Sequence, residues 1–453
     1  MPVPYPAFFN IQGVGMDLLK DNVGKLYRKF FIASFGSALI ACIYGLVDMA
    51  MVGQYHGPDG SAAMAVIAPI WNIIYSFGLL CGIGGSVIYA VARGERDDVK
   101  AANGYFTSAF ILGALWALIL WVLVWVCEEP LLRLFGANDA LMPLCKEYMV
   151  APKLTVPVYV FINLLSSFLR NDGDPGRATK AVIFGGIFNV FGDYFFVFTL
   201  DMGIKGAGIA TAMGASMSVL VMLTHFISKK NTLKFVKPLR ILNSFKMISV
   251  NGFSSFIVDV AMGIATMLFN RRVMEYLGTD ALAVYGVIVV VGTLVQCCSY
   301  GIGQAAQPVI SRNFGAGLTD RIKTMLKYNI ITAAVFGAIW TVLSMAMPQV
   351  FIKLFMTPTP EVLSIAPGII RIYAISFILL PFNIYSTYYF QAIMRAKISL
   401  IASVARGIVI SGALILLLPV AFGGNAVWWA MPITEAVVFV YSAVMMKKVK
   451  LSR

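Results

Sequence analysis

Four acidic residues fall where acids are expensive to place. Asp48 in "GLVDMAMVGQYHG" (45–57), Asp193 in "FNVFGDYFFVF" (188–198), Asp259 in "NGFSSFIVDVAMG" (251–263) and Glu435 in "WWAMPITEAVV" (428–438) each interrupt an apolar run, and the rest of the 21 acids lie in connections or at run ends. A carboxylate in hydrocarbon is costly unless it faces protein or water, so each is a functional candidate by default. The competing reading is a hydrogen-bond partner that holds helices together. Asp48 lies about five residues from the outer end of its run, roughly 7.5 Å at helical rise, and Asp193 lies at a similar depth in a run of opposite direction. Asn189, four residues before Asp193, shares its helix face. Two acids and an amide at one depth would form a polar chamber in the first half of the chain. Asp259 sits near the middle of its run, and Glu435 follows Pro432, where a carbonyl freed by the proline needs a partner. Such acids have two uses: a buried pair can share one proton near neutral pH, and carboxylates in a wet cleft can hold sodium or a lipophilic cation. Proton, sodium and cationic substrate then compete for the same negative charge, which is the physical basis of an antiporter.

The elements that must position these residues are membrane spans. The chain has 453 residues, 59% hydrophobic and 12% charged, with a mean hydropathy of +0.83, against about 25% charged in ordinary soluble domains. Twelve runs are long enough to cross a bilayer: 30–53, 62–91, 103–127, 148–169, 178–200 and 203–228 in the first half, then 247–270, 281–311, 324–347, 362–393, 398–420 and 423–446. The expected organisation is an N-terminal segment (1–29), a six-helix N-lobe (30–228), a basic linker (229–246, KKNTLKFVKPLRILNSFK), a six-helix C-lobe (247–446) and a tail (447–453). Of the 35 Lys and Arg, 26 fall on the side of the termini and 6 on the other, Arg170, Arg177 and Lys180 being counted in one terminal-side connection. The excess of positive charge places both termini in the cytoplasm of a multi-pass protein of the plasma (inner) membrane. It also accounts for the formal charge of +14 through anionic lipid heads, without nucleic acid. No cleavable signal is expected, because the first apolar run is too long for one.

Little else in the sequence carries chemistry. Six cysteines lie mostly in apolar runs without zinc spacing, and His56 and His225 stand at run ends. No nucleophile and base are paired, so an enzyme is not expected, and neither is a resident cofactor or metal. "GIGG" (82–85) sits mid-helix with no preceding strand and reads as close helix packing instead of a phosphate loop. What the sequence does carry is a repeat. "CGIGGSVIYAVARG" (81–94) matches "YGIGQAAQPVISRN" (300–313) at a lag of 219, "PLLRLF" (130–135) faces "QVFIKLF" (349–355), and Pro157 to Arg170 parallels Pro381 to Arg395. Six spans repeated in the same orientation make two parallel lobes with a cleft between them, a design suited to alternating access.

Five motifs in order, "VDMAMVGQYHG" (47–57) with "AAMAVIAPI" (62–70), "LRNDGDPGRA" (169–178), "NVFGDYFFVF" (189–198) and "GIKGAGIATAMG" (203–214), resemble the multidrug and toxic compound extrusion (MATE) transporters of the MOP superfamily, especially the bacterial and archaeal ones. The resemblance implies an all-α membrane protein of twelve helices in two six-helix lobes forming an outward-opening V. It also implies export of cationic or amphipathic drugs driven by proton or sodium entry. Asp48 matches the first-helix acid of the family's N-lobe site, and Asn189 and Asp193 match its fifth-helix amide and acid; a transported Na+ would sit there. Asp259 falls where some members carry a seventh-helix glutamate. The tenth helix departs from such members: eleven residues before Arg395 stands Ile384, beside Asn383, with no acid. The N-lobe chamber is therefore the expected coupling site, with Asp259 in the C-lobe and Glu435 as a secondary position. Small-molecule drugs and membrane lipids are the expected partners, and a monomer is expected. Two other readings stay open. A lipid-linked precursor flippase of the same broad fold would use intramembrane cations, of which Arg371 and Arg406 are the candidates, and a passive channel would conduct without coupling.

Overall fold

Segments this apolar can satisfy their backbone polar groups inside a bilayer only by hydrogen bonding within themselves as helices or by closing a barrel. In the computed structural model, which describes residues 17–451 apart from 97, 239, 356 and 357, every regular element among the described residues is helical. Residues 1–16 of the expected N-terminal segment and 452–453 of the tail lie outside the described residues. The first half contains α1 (Val23–Gly57), α2 (Ala62–Glu95), α3 (Val99–Val126), α4 (Val150–Asn171), α5 (Pro175–Thr199) and α6 (Gly203–Ile227). In the second half the 75-residue stretch Ile241–Gly315 divides at Gly278 into α7 (241–277) and α8 (279–315). It is followed by α9 (Thr319–Ala346), α10 (Pro360–Ala392), α11 (Ala396–Phe422) and α12 (Gly424–Lys448). Helix ends differ modestly from the apolar runs: α1 begins at Val23, so Lys25, Arg28 and Lys29 ride on its first turns.

The sequence repeat reappears in the backbone. The turn between α1 and α2 at Gly57 (φ 65°, ψ −147°) has its counterpart between α7 and α8 at Gly278 (φ 80°, ψ −170°), both in a region that favours glycine. The matched segments "PLLRLF" and "QVFIKLF" become the short helices Glu128–Leu134 and Pro348–Phe355, which follow α3 and α9.

The halves meet tightly on the side of the termini. A Cβ on Gly252 of α7 would lie 2.0 Å from the Leu80 carbonyl of α2, and one on Gly315 of α8 would lie 2.0 Å from the Val91 carbonyl. Backbone therefore touches backbone there, which closes that end of the space between the halves. The linker is tied to the first half. Asn103 of α3 donates to the Thr232 carbonyl (3.1 Å) and accepts from the Lys234 amide (3.1 Å), and Thr107 accepts from the Val236 amide (3.0 Å). Asp172, in the turn after α4, accepts from Tyr89 (3.0 Å) and from the Thr232 amide (2.9 Å) and lies 2.8 Å from the His225 ring. The acids of "LRNDGDPGRA" thus clasp α2, α6 and the linker together.

Candidate functional site

The packing of α5 on α6 is what brings Asn189 and Asp193 inward. Small residues face each other along this seam: a Cβ on Gly214 would lie 2.9 Å from Asn189 Cβ, and Gly192 packs on Ala210. Asp193 ends the regular α-helix, and the next residues, Tyr194–Thr199, widen into a π-helical turn. Asp193 is fully buried, and neither carboxyl oxygen has a hydrogen-bond partner. Asn189 donates to Thr211 of α6 at 3.4 Å, and its Oδ1 is also without a partner.

Asp48 comes to the same region from α1. Tyr148 donates to its Oδ2 at 3.0 Å, while Oδ1 is buried and unpartnered. Asp48 and Asp193 lie within electrostatic range of each other, and Tyr159 of α4 lies close to both. Four buried oxygens therefore gather without donors: one on Asp48, one on Asn189 and two on Asp193. Acceptors gathered in this way can take a proton or a small hard cation.

Beside the cluster lies a cavity of about 170 Å³ between the halves. Asn189, Thr211, Tyr44 and Tyr159 form its wall toward the acids, and Tyr300 and Gln304 of α8 contribute from the second half. The two acids stand behind this wall and are not among the residues that line the cavity. Arg170 does line it, with 7% of its surface exposed. Its assignment to a connection is corrected by this placement: the last turn of α4 carries the side chain inward, not to the lipid surface.

In the second half Asp259 is half-buried and accepts from Tyr300 at 2.6 Å; Gln296 in turn donates to Tyr300 at 2.5 Å. Glu435 does not join a second acid. It is fully buried, Arg406 donates to its Oε1 at 2.8 Å, and Asn383 donates both to its Oε2 at 2.6 Å and to its backbone carbonyl at 2.9 Å. Both side-chain oxygens of Glu435 are thus matched, by Arg406 and Asn383, and its link to the carbonyl freed by Pro432 is corrected: that carbonyl belongs to Trp428, four residues before the proline, and like a carboxylate it only accepts. Asp259, Asn383 and Arg406 line one small pocket with room for about a single water-sized sphere. The structure brings Asp48, Asn189 and Asp193 together and keeps Asp259 and Glu435 apart from them. Tyr148, Tyr159 and Thr211 carried no signal in the sequence, because tyrosine and threonine are unremarked in apolar runs. Arg406 was visible there as an intramembrane cation, without its partner.

A bundle of twelve spans in two like halves, with buried carboxyls beside a central cavity, defines a membrane transporter and not an enzyme. The MatE family model matches residues 33–195 and 252–416, and the chain belongs to that family. The two matches begin 219 residues apart, the lag of the internal repeat. The chain is similar to the multidrug export protein MepA of Staphylococcus haemolyticus, 24% identical over 427 residues and 92% of each chain. The Staphylococcus aureus MepA is 22% identical over 425 residues, again 92% of each chain. Among solved structures, an outward-facing multidrug resistance MATE transporter of the MOP superfamily superposes with a TM-score of 0.87 at 22% identity, over 96% of this chain and 98% of that one. A MATE transporter crystallised in the straight conformation gives 0.86 at 22% identity, over 96% and 98%. At that identity the likeness speaks to the fold.

Proposed function

We propose that this protein is a secondary active multidrug exporter, exchanging cationic or amphipathic organic compounds for H+ or Na+ by alternating access. Membership of the MatE family and the similarity to MepA support the drug-export part. The cluster of four donorless oxygens on Asp48, Asn189 and Asp193 carries the coupling part. A proton taken up there supplies the missing donor, whereas Na+ would be held through oxygen ligands, the type that hard cations prefer. Either ion changes the charge just behind the Asn189–Thr211 wall, and with it the cavity's affinity for a cationic drug. Occupancy then biases which way the cavity opens, since a ligand shifts a conformational equilibrium only by its differential affinity for the two states.

In this reading the moving bodies are the lobes 30–228 and 247–446, and the linker rides with the first lobe through Asn103 and Thr107. The protein acts as a monomer in the plasma membrane with both termini cytoplasmic. In a host lacking its own pumps, Asp48→Asn and Asp193→Asn are expected to abolish drug resistance at unchanged membrane abundance. Full resistance in both variants would overturn the proposal.

A further inference from the structure

The transport reading leaves one group of reactive side chains unused. Cys42 of α1 and Cys297 of α8 are free thiols, both half-buried, each near the middle of its helix. They belong to opposite halves, yet the two thiols lie within hydrogen-bonding reach of each other. Helix packing accounts for the meeting. A Cβ on Gly301 would lie 2.7 Å from the Phe35 Cα, so α8 touches the backbone of α1 there. The two helices run in opposite directions. Seven residues on from Phe35, about 10 Å at helical rise, α1 brings Cys42 to Cys297, which stands one turn before Gly301 on α8. Cys297 also lines the central cavity, as do Ala41 and Tyr44, which flank Cys42 along α1. A small solute in the cavity therefore has access to the pair. No larger ligand set surrounds it: among the described residues no group of three or more His, Cys, Asp or Glu could hold a metal ion. The nearby third thiol, Cys298, is buried.

We infer that Cys42 and Cys297 form a dithiol clamp for a soft, two-coordinate cation of the Cu(I), Ag(I) and Hg(II) class, which fastens the two halves to each other. This goes beyond the exporter reading, which enters only in the consequence for transport. Sulfur selects soft cations, whereas Na+ and other hard ones prefer oxygen. Zinc takes four ligands in a closed site, and two sulfurs do not satisfy it; the soft cations accept a linear S–metal–S arrangement. Binding needs no oxidant. The thiolate is the ligand, so an S–H bond breaks as each S–Hg bond forms, both protons pass to water in the cavity, and Hg2+ is left in a neutral bridge. A neutral bridge suits a site in the middle of two spans. The sulfurs sit on different lobes, so rocking that parts α1 from α8 must break a metal–sulfur bond. A bound cation therefore arrests the lobes in the present arrangement.

The test uses the full chain in nanodiscs, with a thrombin site inserted in the linker after Lys237 so that cleavage can part the halves. Reductant is removed, an equimolar amount of Hg2+ is added, and the linker is cut. The sample is then unfolded in SDS with N-ethylmaleimide, which blocks loose thiols, and run on a gel without reductant. Wild-type halves are expected to migrate together and to separate once dithiothreitol strips the metal. Cys42→Ser and Cys297→Ser should each cut the joined fraction about tenfold or more, since a single thiolate cannot bridge, and Cys298→Ser should leave it unchanged. Wild-type halves that separate despite Hg2+ overturn the inference. So do joined halves in either of the first two variants, loss of joining in Cys298→Ser, or halves joined before the metal is added, which marks a disulfide. Uptake of a lipophilic cation into liposomes is the second readout. Hg2+ is expected to stop it in the wild type and to spare Cys42→Ser, and equal inhibition of both overturns the arrest of the lobes. A wild type that moves no dye before metal is added removes the exporter reading instead, and the gel still decides the thiol site.

Discussion

The pair Arg406–Glu435 gives the sharpest separation between a residue that holds the fold and one that couples transport. Glu435 is fully buried and the Arg406 side chain is 12% exposed, with 2.8 Å between them, and Asn383 covers the second carboxyl oxygen at 2.6 Å. Glu435→Gln keeps the shape but strips the charge, leaving a guanidinium without its counter-ion. Breaking one side of a buried pair costs about 3–5 kcal/mol, whereas replacing both sides by neutral groups is often close to neutral. Taking roughly 2 °C per kcal/mol for a chain of this size, Glu435→Gln lowers the apparent Tm by about 6–10 °C. The double variant Arg406→Met/Glu435→Gln recovers most of that loss. The assay is a double-mutant cycle of thermal unfolding in detergent, with transport measured in parallel at a temperature where every variant is folded. Glu435→Gln is then expected to transport. A variant with unchanged Tm and no transport would refute the reasoning and move Glu435 into the coupling machinery.

Three further outcomes are expected. Gly252→Ala puts a methyl group 2.0 Å from the Leu80 carbonyl, so α7 must move away from α2; an overpacking penalty of about 1–3 kcal/mol should lower the Tm and slow transport, and an unchanged Tm and rate would show that the halves are not in close contact there. Asp174 is buried, which opposes its charged form, but the His225 ring, Lys230 and Arg177 outweigh this and hold its carboxyl well below the usual carboxylate range. Its stabilising contribution is complete above the ordinary carboxylate pKa near ~4 and is lost as pH falls further. Wild type and Asp174→Asn should therefore differ most in Tm at neutral pH and converge under acid, and a gap that widens on acidification would contradict this. Asn103→Ala with Thr107→Val deletes three hydrogen bonds to the linker backbone, each worth about 1 kcal/mol; tryptic cleavage after Lys234 should rise tenfold or more, and an unchanged cleavage rate would show that these bonds do not hold the linker.

Much of the architecture was legible in the sequence, because spans announce themselves by length and apolarity and the repeat announces itself by its lag. The helix ends were less legible. Lys25, Arg28 and Lys29 read as a polar segment before the first span, but backbone hydrogen bonding carries a helix past the edge of its apolar run and lets long basic side chains reach back to the headgroups. For the candidate site, an acid in an apolar run is conspicuous, so Asp48 and Asp193 could be named from their own segments, and Asn189 from its place four residues before Asp193. Their surroundings could not: Tyr148 lies 100 residues from Asp48 along the chain, and only helix packing sets that distance to zero. Arg170 shows the same limit from the other side. Two residues from the turn, it reads as one more basic residue at the membrane surface, and only the rotation of the last turn of α4 shows that it faces the cavity.

The central claim, that Asp48 and Asp193 exchange a cation to drive export, is tested most directly in liposomes holding purified protein and a fluorescent lipophilic cation, with a proton gradient and a sodium gradient imposed separately. The account predicts that at least one gradient drives movement of the dye, that the matching ionophore abolishes it, and that Asp193→Asn shows none. Gradient-driven movement of equal rate in Asp193→Asn, or flux in the wild type that ignores both gradients, would contradict it.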